Sequence, residues 1–309
     1  MNFTGIEKII HGVEDLAEGM RFYDDWGLAK TSFDKNSALY KTMDGSEVLL
    51  CNKNDPALPP AIEKGPTIRH IVWGVKNKTD LTKVHEMISG YETFSELDGD
   101  PACVDPNGLS ISFRVTQRQA ANVKGVSMNT WDKPDARSDL RSTFYDKAQP
   151  IKIGHVVFFV ADLHATEDFY VDILGFSVSD RYPGAGSFLR CATPGGHHSL
   201  FILETPDKKV GLNHVAYTVR DIHEVFGGGL QVDRCGWKTQ IGPGRHPVSS
   251  AYFWYVENPA GGLAEYFTDE DYCTEKWKVR DFQRSNEAFT EWAVEGGIDF
   301  NTRRQHLLE

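Results

Sequence analysis

The sequence repeats itself. The stretch IEKIIHGVEDLAEGMRFYDDWGLA (6–29) aligns without a gap under IGHVVFFVADLHATEDFYVDILGF (153–176). Each copy reads as a β-branched strand, an Asp-Leu step into a helix with a Phe-Tyr pair, and a Gly that ends it. A second pair, IRHIVWGVKNKTDL (68–81) and LNHVAYTVRDIHEV (212–225), is again strand then helix. Each half closes on a hairpin, DPNGLSISF (105–113) or NPAGGLAEYF (258–267), whose Asn/Asp-Pro-x-Gly turn precedes an alternating strand. The repeat predicts an α+β fold of two domains, each made of two βαβββ modules that curl into an open barrel-like sheet with a ligand-sized mouth.

The first pair of modules is expected over 1–117 and the second over 151–273. Between them, 118–150 is polar, contains Pro134 and Pro150, and reads as a linker. The last segment, 274–309, has an amphipathic look around FTEWAVEGG and is expected to pack on the second domain. A formal charge of −11 argues against nucleic acid and anionic membrane as partners, because both need an excess of Lys and Arg, and leaves a small molecule. The amino terminus lacks a basic flank followed by an apolar core, and no apolar run approaches the roughly 20 residues of a membrane span, so the chain reads as cytoplasmic. Cys51, Cys103, Cys191, Cys235 and Cys273 are odd in number and nowhere in CxxC spacing, which suggests neither a disulfide framework nor a zinc site.

The repeat also supplies an internal control. The second half holds His155, His214 and Glu265 at positions where the first half holds Lys8, His70 and, with the hairpins aligned from their strand ends, Ile111. Glu265 stands among Leu263, Tyr266 and Phe267, where a strand pattern predicts burial, and a buried lone carboxylate is costly unless a cation neutralises it. Two imidazoles and a carboxylate are the donor set of non-haem Fe(II) sites that keep one coordination face open. Only the second half has that set.

The residues around Glu265 resemble a known family. GRHPVSSAYFWYVENPAGGLAE is similar to the signature of type I extradiol ring-cleavage dioxygenases of the vicinal oxygen chelate superfamily, with Gly244, His246, Tyr255, Asn258, Pro259, Gly261 and Glu265 in register. The resemblance implies that His155, His214 and Glu265 bind Fe(II), with Mn(II) as the alternative, and that a catecholic substrate and O2 share the open face. It implies an acid-base histidine in GGHHSLFIL; the register of the following SLFI favours His198 over His197, which a strand would turn to the opposite face, and the choice between the two stays open. It implies that His246 and Tyr255 hold the substrate hydroxyls, and that the protein is a homo-oligomer.

Trp254 departs from the smaller aliphatic or Phe usual in the family and is expected to reshape the substrate pocket. Arg190 and Arg245 are candidates to meet an anionic substituent, although surface placement suits them better. Ile241 stands just upstream of Gly-Pro-Gly, where homoprotocatechuate-type members carry an Arg, so substituted monocyclic and biaryl diols both stay open. Two other readings stay open as well: a glyoxalase-type isomerase or lyase, and a ligand-binding member without catalysis. Of the other histidines, His85, His164, His223 and His306 read as solvated, His70 as a relic, and His11 as packed on its strand.

Overall fold

The computed structural model describes residues 1–298. Its first module is β1 (Phe3–Val13), α1 (Leu16–Asp25), β2 (Ala29–Phe33), β3 (Ser37–Lys41) and β4 (Glu47–Asn52). The second is β5 (Thr67–Val75), α2 (Lys78–Ile88), β6 (Ser95–Leu97), β7 (Asp100–Val104) and β8 (Ser110–Val115). After an irregular, largely exposed stretch, the third begins with β9 (Lys152–Val160) and α3 (Leu163–Asp168), which widens into a π turn over Phe169–Ile173. It continues through β10 (Ser177–Tyr182), β11 (Gly186–Arg190), the short β12 (Gly195–Gly196) and β13 (Leu200–Glu204). The fourth is β14 (Gly211–Thr218), α4 (Ile222–Arg234), β15 (Thr239–Arg245), β16 (Tyr252–Glu257) and β17 (Leu263–Thr268). The segment beyond adds β18 (Tyr272–Cys273), β19 (Arg280–Asp281), α5 (Asn286–Phe289) and β20 (Trp292–Glu295).

Each module enters its helix in the same way. Asp15, Asn77, Asp162 and Asp221 sit in extended backbone, and each side-chain oxygen accepts a backbone N–H of the first turn, the N-cap bond that an acidic or amide side chain supplies. The two sheets have the same order. The first runs β2-β3-β4-β1-β5-β8-β7-β6, and the second runs β10-β11-β13-β9-β14-β17-β16-β15 with β19 and β20 added at its two edges. The carboxy-terminal segment therefore covers both ends of the second sheet, where unpaired N–H and C=O groups would otherwise be open.

One apolar core joins the halves. Trp26 stacks on Tyr266 with ring centroids 3.6 Å apart, and the Tyr266 hydroxyl donates to the Trp26 carbonyl at 2.7 Å. His11, wholly buried, contacts the carbonyl of Ala260 through Nδ1 at 3.0 Å, and Asn258 donates to the Tyr23 hydroxyl at 3.1 Å. The first half thus grips the Asn-Pro turn that leads into β17. Gly261 in that turn has φ +112°, and a Cβ there would lie 2.3 Å from the Pro66 carbonyl oxygen, so only glycine fits.

All five cysteines are free. Among the described residues no helix is long and apolar enough to cross a membrane.

Helix α4 contains Gly227, Gly228 and Gly229 in succession, a run that costs about 1 kcal/mol per residue in helix propensity. Packing accounts for it: a Cβ at Gly229 would stand 2.1 Å from the Trp254 ring, and one at Gly227 would stand 2.2 Å from the Tyr145 carbonyl oxygen. Gly229→Ala is therefore expected to lower stability by roughly 1–3 kcal/mol despite the propensity gain, as overpacking does. Urea unfolding checks the sign, and a stabilised variant would show that α4 does not lie this close to β16.

Candidate metal centre

Strands β9, β14 and β17 lie side by side, and Ala216 pairs with His155 on one flank and with Glu265 on the other. Alternate residues of a strand share a face, so His214 points the same way as Ala216. The three functional groups gather over one small side chain, which leaves the space between them open. In the first sheet the same positions hold Lys8, His70 and Ser112 around Val72, whose larger side chain occupies the place of Ala216.

The pairing corrects one reading: the counterpart of Glu265 is Ser112 and not Ile111. The two hairpins match when aligned from their turns, which sets Leu109 against Gly262. His70 bonds Ser110 Oγ and Ser112 Oγ, each at 2.8 Å, so both of its ring nitrogens are already engaged.

His155, His214 and Glu265 are all buried. His155 Nε2 and His214 Nε2 are 3.3 Å apart, and Glu265 Oε2 lies 3.2 Å from the first and 3.1 Å from the second. An octahedral ion with bonds of about 2.1 Å holds neighbouring donors about 3.0 Å apart, so this triangle matches one face of such an ion. Asn213 Oδ1 lies 2.7 Å from His214 Nδ1 and takes its proton, which leaves Nε2 with its lone pair toward the centre. Glu265 Oε2 is in hydrogen-bonding geometry with neither imidazole, and it has no other partner. A buried carboxylate oxygen left unpartnered beside two converging imidazole nitrogens suits a cation.

The electrostatics agree. Burial pushes the His155 imidazole down to about 4 and so keeps it neutral at working pH. Burial alone would raise the Glu265 carboxyl, but contacts with His155, His214 and His246 overturn this and hold it well below the usual range. A neutral imidazole at His155 and an ionised carboxylate at Glu265 are protonation states a divalent metal needs.

A cavity of about 470 Å³ opens over this face. Tyr182 of β10, Phe188 of β11, Phe201 of β13 and Tyr255 of β16 all line it, so the second sheet curls around it from both ends. His198 lines it too, its ring 4.0 Å from that of His155, and burial followed by the neighbouring His155 and His197 holds it well below its ordinary value. The His246 Nδ1 proton goes to the Phe289 carbonyl at 2.7 Å, so Nε2 is the acceptor for the Tyr255 hydroxyl at 3.1 Å. The Tyr255 phenol is pushed well above its usual range by burial and by the charge of Glu265, and stays a donor.

Residues 152–271 match the model of the Glyoxalase/Bleomycin resistance protein/Dioxygenase superfamily. The match spans the third and fourth modules, which resemble that superfamily's domain. Metapyrocatechase 2 of Cupriavidus necator is 28% identical over 180 residues, which are 58% of this chain and only 56% of that relative's own length. The 3-methylcatechol 2,3-dioxygenase of Pseudomonas putida is 25% identical over 253 residues, 72% of this chain and 79% of the relative. Among solved structures, the Mn(II)-bound glyoxalase from Novosphingobium aromaticivorans superposes with a TM-score of 0.74 over 96% of this chain and 93% of that one. At 23% identity that likeness speaks to the fold alone.

Two substrate-side expectations are overturned in these two modules. Trp254 is wholly buried on the other face of β16, under α4, where its Nε1 donates to Thr239 Oγ1 at 2.9 Å. Strand alternation sends Phe253 and Tyr255 to one side and Trp254 to the other, so Trp254 does not line the cavity. Arg190 is buried and spent on the Val178 carbonyl (2.8 Å), Ser179 Oγ (2.9 Å) and Thr193 Oγ1 (2.9 Å), away from the cavity and from the surface alike. Arg245 pairs with Glu291 at 2.6 Å. Of the histidines read as solvated, His85 and His164 are exposed, His223 is half-buried with an unpartnered ring nitrogen, and His306 lies outside the described residues.

The sequence reading missed the contribution of the carboxy-terminal segment: Arg284, Ser285, Asn286, Ala288 and Phe289 all line the cavity. It also missed Glu270, half-buried with its carboxylate toward the cavity, which accepts the His197 backbone N–H at 3.0 Å and fits because residue 196 is glycine. Burial pushes the Glu270 carboxyl up to about 7, against weaker opposing effects of Lys152 and the His197 and His198 backbone N–H groups. The folded chain then keeps a proton that the unfolded chain has released, so stability falls as pH rises from the ordinary carboxyl range through about 7. Glu270→Gln is expected to flatten that fall by roughly 1–3 kcal/mol, cavity water screening part of it. Urea unfolding across the window measures the slope; an unchanged slope would contradict the enclosure of this carboxylate.

Proposed function

We infer that the protein is an extradiol ring-cleavage dioxygenase, which opens a catecholic ring beside its two hydroxyls and places both atoms of O2 in the product. The reading rests on one observation: two imidazoles and a carboxylate share a cation-sized focus whose free side faces a cavity that also presents His198, His246 and Tyr255. The named relatives support it. The cavity volume falls within the roughly 300–1,000 Å³ of small-molecule sites.

His155, His214 and Glu265 would hold Fe(II), with Mn(II) as the alternative ion. Bound there, the metal supplies Lewis acidity toward the diol and a route for electron density from ring to oxygen. The chain does the rest. Tyr255 donates, and His246 with its Nδ1 proton anchored on the Phe289 carbonyl accepts, so the pair fixes which way a substrate hydroxyl faces. His198, on the opposite wall, takes a proton from the diol and returns it as the ring opens. Phe188 and Phe201, stacked with centroids 4.0 Å apart, form an apolar wall that keeps water from the reacting ring.

A glyoxalase-type site with a fourth ligand finds no support, since the group of potential ligands among the described residues has three members. The same reading makes the protein a cytoplasmic homo-oligomer, which sedimentation of the full chain checks.

Anaerobic loading with Fe(II), followed by air and a panel of catechols, is expected to give yellow ring-fission products; iron retained with no colour from any diol would sink the assignment. Glu265→Ala is expected to lose both iron and turnover. His246→Asn and Tyr255→Phe are expected to keep iron while kcat falls by about 10²-fold or more. Loss of metal from either of the latter would make His246 or Tyr255 part of the metal site rather than of the substrate clamp.

A further inference from the structure

Glu270 is a carboxylate that the fold builds into the cavity wall. Glu265 and Phe267 share one face of β17 and both line the cavity, roughly 7 Å apart along the strand. Asp269, in left-handed backbone at φ +61°, then turns the chain so that Glu270 also reaches the cavity, beyond Phe267. Two features hold it there. The carboxylate rests over Gly196, where a Cβ would lie 2.3 Å from Oε1, and β12 pairs Gly196 with Tyr272 of β18. Oε2 accepts the His197 backbone N–H at 3.0 Å, and the His198 backbone N–H faces the same group.

Those bonds do not satisfy it. A carboxylate offers about four acceptor sites, and two N–H groups leave the others toward the cavity. Among the described residues no basic side chain makes an ion pair with Glu270, and Lys152 acts on it through charge alone. The aromatic wall supplies no donor either: Tyr182 gives its hydroxyl proton to the Ala288 carbonyl at 3.0 Å, and Phe188, Phe201 and Phe267 are apolar. Arg284, the basic side chain that lines the cavity, is exposed, whereas Glu270 is half-buried. An enclosed acceptor without a donor is unfavourable, and a ligand that brings a donor relieves it.

We propose that Glu270 determines which catechol is taken: the ring carries, besides its two vicinal hydroxyls, a substituent that donates a hydrogen bond, and Glu270 receives it. The proposal rests on the dioxygenase reading and deepens it by naming the substrate class. The spacing along β17 fits this division. The diol belongs at the focus of His155, His214 and Glu265, and a group beyond Phe267 meets a substituent of the same ring. A carboxyl keeps an acceptor oxygen whether protonated or ionised, so recognition of a hydroxyl does not depend on its charge. A third hydroxyl and an ammonium group share the required chemistry. A carboxylate substituent brings acceptors only and is disfavoured at this wall.

Anaerobic binding of diols to the Fe(II)-loaded full-length chain, read by calorimetry, tests the assignment without turnover. Matched catechols separate the donor from its shape: hydroxyl against methoxy at either free type of ring position, and aminoethyl against propyl. With each affinity taken relative to unsubstituted catechol, the donor member of one pair or more is expected to bind the wild type about tenfold more tightly. Glu270→Met removes the acceptor and is expected to cut that preference to about threefold or less. Gly196→Ala keeps the carboxylate but displaces it, and is expected to have the same effect, so the test stands even where Glu270→Met does not fold. Variants are compared at equal iron content. Absence of any donor preference in the wild type, or a preference that persists in the folded variants, would overturn the assignment. Loss in a hydroxyl pair supports it with a hydroxyl as the donor, and loss in the aminoethyl pair supports it with an ammonium. A wild type that binds with this preference yet forms no ring-fission product in air would defeat the dioxygenase reading and leave Glu270 as the selecting residue.

Discussion

The second half of this molecule is organised around a buried carboxylate. Glu265 lies among aromatic side chains, a setting that would neutralise a lone acid, but contacts with His155, His214 and His246 hold its carboxyl well below the usual range. Burial keeps His155 neutral, and the bond from His214 Nδ1 to Asn213 Oδ1 turns His214 Nε2 toward the same point. Three lone-pair donors then face one point, and close approach of such donors is stable only with positive charge between them. The cavity, the apolar wall and the His198, His246 and Tyr255 side chains are all placed relative to that point.

The first half shows what the same backbone becomes when the donor set is absent. Lys8 takes the place of His155 and contacts Glu47 at 3.6 Å, His70 is satisfied by two serine hydroxyls, and Val72 fills the gap that Ala216 leaves in the second half. Its contribution is mechanical. Trp26, Tyr23 and His11 grip β17 and the turn before it, so the strand that carries Glu265 is braced from the first half of the chain. Rigid support of this kind sets donor positions to the few tenths of an ångström that coordination requires.

Much of this is legible in the sequence because repetition makes it so. The Asp or Asn before each helix, the strand-helix-strands order and the positions of His155, His214 and Glu265 recur at fixed offsets, and the two copies expose which positions differ. The misreadings fall where one residue of register matters. Aligning strand ends matches Ile111 to Glu265, whereas the turns set the alignment, and Trp254 cannot face the cavity when its neighbour Tyr255 already occupies that face. Arg190 illustrates a different limit: its bonds to Val178 and Ser179 depend on β10 lying beside β11, which no local pattern announces. The contribution of 284–289 is invisible for the same reason, since it follows from where a short helix lands as the chain passes from one sheet edge at β19 to the other at β20.

The most direct test of the central claim is X-ray absorption at the metal edge of the anaerobic Fe(II)-loaded full-length chain. Convergence of His155, His214 and Glu265 predicts one ion per chain with five or six nitrogen and oxygen neighbours at about 2.1 Å, two of them imidazole. A sulfur neighbour, a single imidazole, or an ion that dialyses away from the wild-type chain would contradict it.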